Sequence, residues 1–259
     1  MPVAFQPPFS YYSEVPYYYA GSPSAFFGGP VTRTVKTLIA LNVAVFVLQV
    51  LARAGGIRFL ELYFGLIPWR VTHDLMIWQF VSYMFLHDGF FHIFINMFTL
   101  YMFGNDLERT WGSRQFLRYY FITGIGAGLC SYLAGLNSLT VTIGASGAIY
   151  GLLLAYGLMY PNRLVYLYFL FPVRVKWLVL VMGVLAFLSS ISGSQPGVAN
   201  IAHLGGLLVG YVYLQGGSWL RRYQVYKNRR KHEELKRQFE VYYGDIRRKI
   251  DSDKKPTIH

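Results

Sequence analysis

The sequence predicts an all-α membrane protein, a bundle of six transmembrane helices, and three observations carry that expectation. Hydrophobic residues make up 54% of the 259 positions and charged residues only 14%, too little charge to cover the surface of a soluble domain. Apolar segments recur at about 35–52, 80–103, 116–136, 142–160, 175–192 and 198–215, each near the roughly 17 to 25 residues that a helix needs to cross a bilayer. With six spans, 21 of the 24 Lys and Arg residues fall on the side that holds both termini, and only Arg53, Arg58 and Arg70 fall on the other. Basic residues collect on the cytoplasmic side of a membrane, so a multi-pass protein of the cell (inner) membrane with both termini cytoplasmic is expected. The same composition excludes a disordered or fibrous protein and disfavours a soluble enzyme.

Taken in order, residues 1–34 hold tyrosines, prolines and glycines without helical or strand periodicity and are expected to be a flexible cytoplasmic tail. The first span, 35–52, is followed by Ala52-Arg53-Ala54, which is similar to a signal-peptidase site, but the preceding tail is too long for a signal peptide. The six spans fill a domain at 35–215. The last 44 positions, 216–259, form a basic cytoplasmic tail that is expected to be partly helical. After residue 220 it carries 13 basic and 6 acidic residues, more than half of the net charge of +12. Positive charge beside a last span is what topology alone requires, so no nucleic-acid partner is needed. Leu235, Phe239, Tyr242 and Ile246 repeat at helical spacing among these charges, a pattern that also suits an anionic membrane surface. The single cysteine, Cys130, excludes an internal disulfide and any multi-cysteine zinc site.

Polar groups in hydrocarbon are costly and face a cavity or the bundle interior, so the exceptions within the spans are informative. His92 and Asn96 lie in span two, Ser146 early in span four and His203 early in span six. Spans two, four and six all run from outside to inside, so these four residues lie at similar depth and can converge. Span four could begin near Leu139 or Thr142, which puts Ser146 roughly 6 to 10 Å below the outer boundary at 1.5 Å per residue. Taken alone, Ser146 in TIGASGAIYG fits close helix packing by small residues, and His203 in NIAHLGGLLVG fits a histidine bonded within the bundle. Taken together, a neutral imidazole can accept the serine proton and return it to a leaving amine. His92 and Asn96, four apart, share a helix face and can both donate to a developing oxyanion; interhelical polar contact is the other use of such a pair. Tyr150, one turn beyond Ser146, can stack on the His203 ring and orient it, a task otherwise given to an acid.

Other hydrolytic chemistries fit less well. HDGFFH puts His87 and His92 five apart, whereas a zinc protease needs H-E-x-x-H, so no metal is expected. An aspartyl protease would need two carboxylates within the spans, and a six-span transporter would need charged or broken-helix elements near the midplane; the spans offer neither.

Over about 180 residues, from the first span to the sixth, the sequence resembles the rhomboid intramembrane serine proteases. HDGFFHIFIN in span two, GASG with Tyr150 in span four and AHLGGLLVG in span six carry the resemblance, and LERTWGSRQFLRYY is similar to the family's loop between spans two and three, with a structural role for Glu108. The resemblance implies a rhomboid-like bundle in which Ser146 is the nucleophile and His203 the general base and acid. It implies an oxyanion hole of His92, Asn96 and the Ser146 backbone N–H, with Gly144, Tyr150 and His87 in support. The reaction implied is cleavage of transmembrane protein substrates in the lipid bilayer, without a cofactor. A catalytically inactive rhomboid-like protein that binds membrane clients is the alternative. One departure is visible: where the family often has Trp-Arg before span two, Trp78 is followed by Gln79.

Overall fold

The computed structural model describes residues 30–167, 171–191 and 200–216. The expectations for the tyrosine-rich tail and for the basic tail, including the helical repeat from Leu235 to Ile246, lie outside the described residues apart from their inner ends. The elements that follow lie in one compact unit that ends at Leu214, apart from the last two residues of the final helix.

Helix α1, Arg33–Ala54, has 22 residues. It alone, among the described helices, is by itself long and apolar enough to cross a membrane. A loop then carries two short helices, α2 (Phe59–Phe64) and α3 (Pro68–His73), followed by α4 (Gln79–Ser82) and a 3-10 turn at Tyr83–Phe85. Helix α5, Phe90–Thr99, passes through a π turn at Leu100–Gly104 into α6, Asn105–Trp111. Helix α7 spans Ser113–Ala134, α8 Ser146–Met159 and α9 Val175–Ile191, and α10 covers 200–216.

Three sequence expectations change. The apolar segment at 80–103 is not one helix: α4 and the 3-10 turn belong to the preceding loop, residues 86–89 are non-helical, and the long helix begins at Phe90. His87, Asp88 and Gly89 interrupt the apolar run there, and backbone groups of His87 and Asp88 are bonded to side chains of α1 and not to a helix ladder. Span four starts at Ser146, later than Leu139 or Thr142. The fold is also not wholly α-helical, because Leu164–Leu167 (β1) and Phe171–Arg174 (β2) pair antiparallel between α8 and α9.

Helix α7 forms the centre, with Phe116, Tyr119 and Tyr120 wholly buried, and packs most extensively on α8. Small residues make this possible. A Cβ on Gly151 would lie 2.7 Å from Thr123 Cβ, and one on Gly147 would lie 2.5 Å from Ala127 Cβ. The Tyr119 hydroxyl donates to the Gly151 carbonyl at 2.8 Å.

Glu108, on α6, fastens the start of α1. Its carboxylate accepts from the Val35 amide at 3.0 Å, the Thr34 amide at 3.2 Å, the Ser113 hydroxyl at 2.6 Å and the Thr32 hydroxyl. These amides belong to the first turn of a helix, which has no intrahelical acceptor for them and carries the positive end of the dipole. Burial alone would raise the carboxyl, but the hydrogen bonds from Ser113, Thr32, Thr34 and Val35 outweigh it and hold it down to about 2. Its stabilising contribution is therefore complete above the ordinary value of 4.5 and is lost as pH falls toward 2. Glu108→Gln is expected to lower the thermal unfolding midpoint and to flatten its decline over that acid range. An undiminished acid decline in the variant would assign the effect to other carboxylates.

Candidate active site

The segment that enters α8 is extended because a loop holds it so. Thr142 and Leu66 exchange two backbone hydrogen bonds of 2.9 Å, and the Gly144 amide donates to the Tyr83 carbonyl at 2.9 Å. Gly144 has φ +128°, a conformation open to glycine because it lacks a Cβ. Helix geometry can begin only after it, so Ser146 is the first residue of α8. The amides of that first turn have no intrahelical acceptor and sit at the positive end of the helix. Helix geometry, and not depth alone, thus supplies backbone donors beside the Ser146 hydroxyl.

The Ser146 hydroxyl oxygen lies 2.7 Å from Nε2 of His203. The Tyr150 ring stacks on the imidazole, with centroids 4.5 Å apart and planes at 9°. Both residues of the pair are half-buried. What lets α10 approach so closely is the absence of side chains: a Cβ on Gly206 would stand 2.0 Å from the Gly147 carbonyl oxygen, and one on Gly210 would stand 3.4 Å from Gly151 Cα. Gly205 meets Cys130 in the same way, at 2.7 Å from its Cβ.

His92 comes to the same place from α5. A Cβ on Gly144 would lie 2.8 Å from His92 Nε2 and 3.6 Å from the Ser146 hydroxyl oxygen, so both groups face one small volume above the glycine. The Asp88 amide donates to His92 Nδ1 at 3.4 Å. A backbone amide can only donate, so Nδ1 is the acceptor and, in the neutral ring, Nε2 carries the proton. Asn96 is buried on the same helix, and among the described residues its side-chain nitrogen has no hydrogen-bond partner, which leaves its donors unspent there. His87 is fully buried and sits edge-on to His92, with centroids 5.0 Å apart. Among the described residues, no cluster of three or more His, Cys, Asp or Glu side chains is placed to share a metal ion.

Several residues that shape the site lie outside the motifs of spans two, four and six. Gln79, which stands where an arginine is often found, is wholly buried; it accepts from the Ile67 amide at 2.9 Å and donates to the Tyr63 carbonyl at 3.2 Å. The loop is therefore anchored by an amide that both gives and receives. Tyr83 is held by its hydroxyl to the Gly124 carbonyl at 2.6 Å while its own carbonyl fixes Gly144. Gln49, Arg53 and Glu61 form a further network beside His87. Burial would raise the Glu61 carboxyl, but backbone and Gln49 hydrogen bonds, with the Arg53 guanidinium, bring it below the ordinary carboxylate value. The available signal was Gln49 itself, a polar residue in an apolar span.

A profile of the rhomboid domain matches residues 74–219. Over 215 residues the chain is 33% identical to the mitochondrial rhomboid protein 1 of Saccharomyces cerevisiae, covering 75% of this chain and 58% of that protein. It is 32% identical over 147 residues to RHOMBOID-like protein 5 of Arabidopsis thaliana, covering 57% of this chain and 46% of that protein. Over 208 residues it is 30% identical to the rhomboid protease AarA of Providencia stuartii, covering 73% of each. The chain spans about half the length of several of the relatives it matches.

The contact between α8 and α10 can be tested directly. Gly206→Ala must push the two backbones apart and is expected to cost roughly 1 to 3 kcal/mol of stability, read as a lower unfolding midpoint in detergent. A midpoint equal to that of the unaltered protein would mean the helices have room that the geometry does not show.

Proposed function

The chain belongs to the rhomboid family of integral membrane proteins, and we propose that it is an intramembrane serine endopeptidase that cleaves transmembrane segments of membrane-protein substrates. The single observation that supports this most is the 2.7 Å contact between the Ser146 hydroxyl and His203 Nε2. A hydroxyl poised on a ring nitrogen is what general-base activation of a serine requires. An inactive, client-binding relative would have no need of it.

In this reading His203 takes the Ser146 proton as the oxygen attacks a peptide carbonyl. The tetrahedral oxyanion is met by Nε2–H of His92, the Asn96 amide and the Ser146 backbone N–H. His203 then protonates the leaving amine, and water releases the acyl group. Tyr150 keeps the imidazole in plane for both transfers, and Gly144 leaves the space above it clear. His87 supports the loop beside His92. A substrate helix must locally unwind, because its carbonyls are otherwise bonded within the helix. No cofactor takes part. The six apolar segments are read as six spans, with α4 and the 3-10 turn assigned to the first external loop. The distribution of Lys and Arg supports a reading with both termini cytoplasmic and the cell (inner) membrane as the location.

Cleavage of a transmembrane reporter by purified protein in liposomes tests the proposal. Ser146→Ala and His203→Ala are each expected to abolish it, and a fluorophosphonate probe is expected to label the unaltered protein but not Ser146→Ala. Cleavage by both variants at the normal rate would reject the dyad. Asn96→Ala is expected to reduce turnover by roughly 10- to 1,000-fold; unchanged turnover would return Asn96 to a packing role.

A further inference from the structure

Two side chains near the end of α1 hold three consecutive peptide groups of the turn that precedes α5. Gln49 is fully buried, and its Oε1 accepts from the His87 amide at 2.9 Å. Arg53 donates from Nη2 to the His87 carbonyl at 3.5 Å and from Nη1 to the Asp88 carbonyl at 2.6 Å. Glu61, also buried, orients both: its Oε1 accepts from Arg53 Nε at 2.6 Å and from Gln49 Nε2 at 3.1 Å. With its nitrogen bound to Glu61, the Gln49 amide can present only its oxygen to His87.

The middle peptide group links His87 to Asp88. A peptide group is planar, so the carbonyl that Arg53 holds and the Asp88 N–H that meets His92 Nδ1 turn as one body. If this plane flipped, a carbonyl would replace the N–H opposite Nδ1. The neutral ring would then place its proton on Nδ1, and Nε2 would lose the ability to donate.

We propose that Gln49, Arg53 and Glu61 are positioning residues that hold the His87–Asp88 peptide plane and thereby keep the proton of His92 on Nε2, aimed at the oxyanion. This rests on the reading of His92 as an oxyanion donor. None of the three touches the reacting atoms; they act through His92 alone.

A double-mutant cycle on the full-length protein in liposomes tests it, with reporter cleavage as the readout. Arg53→Gln is expected to lower kcat by about 10- to 100-fold while KM stays within about twofold. In a His92→Ala background the same substitution is expected to change kcat by less than about twofold, since the group through which it acts is gone. An equal loss in both backgrounds would overturn the proposal, because a residue that only supports the fold costs the same whether or not His92 is present. Should Arg53→Gln not fold, Gln49→Met supplies the same cycle, because it removes the acceptor for the His87 amide and leaves the guanidinium in place. If His92→Ala alone leaves kcat unchanged, the donor reading of His92 fails and this inference fails with it, an outcome that differs from full additivity.

Discussion

The distance between the backbones of α8 and α10 governs the site. Ser146 and His203 are 57 positions apart in the chain, and their contact at 2.7 Å exists because Gly206 rests on the Gly147 carbonyl without a side chain between them. In a bilayer the lipid tails compete for apolar surface as well as any helix does, so helices associate through close van der Waals fit and not by expelling water. The glycines of α10 are therefore as necessary to the proposed chemistry as the histidine they flank. Thr123 and Ala127 extend this close fit from α8 into α7, and the wholly buried tyrosines 119 and 120 of that helix lie in the same core.

Helix α1 takes part in this arrangement from both of its ends. At the start, the Thr34 and Val35 amides are held by Glu108 of α6. Near the finish, Gln49 and Arg53 hold the turn before α5. Much of the helix between these points presents apolar side chains outward, including Leu41, Val47, Leu48 and Leu51. Polar contacts thus hold both ends of the helix, Val35 and Leu38 pack into the core between them, and its length spans about 33 Å at 1.5 Å per residue.

Much of the candidate site was legible because polarity is rare in this chain. His92, Asn96, Ser146 and His203 stand out against apolar neighbours, and the four-residue spacing of Ser146 and Tyr150 anticipates the stack on His203. The start of α5 was legible only in part, since His87, Asp88 and Gly89 interrupt the apolar run, but what holds those residues out of a helix is a set of hydrogen bonds to Gln49 and Arg53 more than 30 positions earlier. Periodicity reports which residues are apolar; it does not report which backbone groups are already taken. The late start of α8 has the same origin, in bonds from Leu66 and Tyr83. The pairing of β1 with β2 was not legible, because four-residue strands are too short for alternation to register. Gln79 was legible as a departure from a familiar pair, but its use of both ends of one amide was not.

The stacked ring of Tyr150 has a consequence for charge. Among the described residues no carboxylate is hydrogen-bonded to His203. A serine hydrolase with a buried acid supplies a permanent counter-ion to the imidazolium that forms during the reaction. Here a neutral aromatic face takes that place, so in the proposed mechanism positive and negative charge are created together from neutral partners and must neutralise each other across the width of one tetrahedral centre. Such a pair costs least in a poorly screened interior when its separation is shortest. In the proposed mechanism the resting dyad is therefore neutral, and the pre-formed donors around Ser146 meet a negative charge that exists only while the intermediate does.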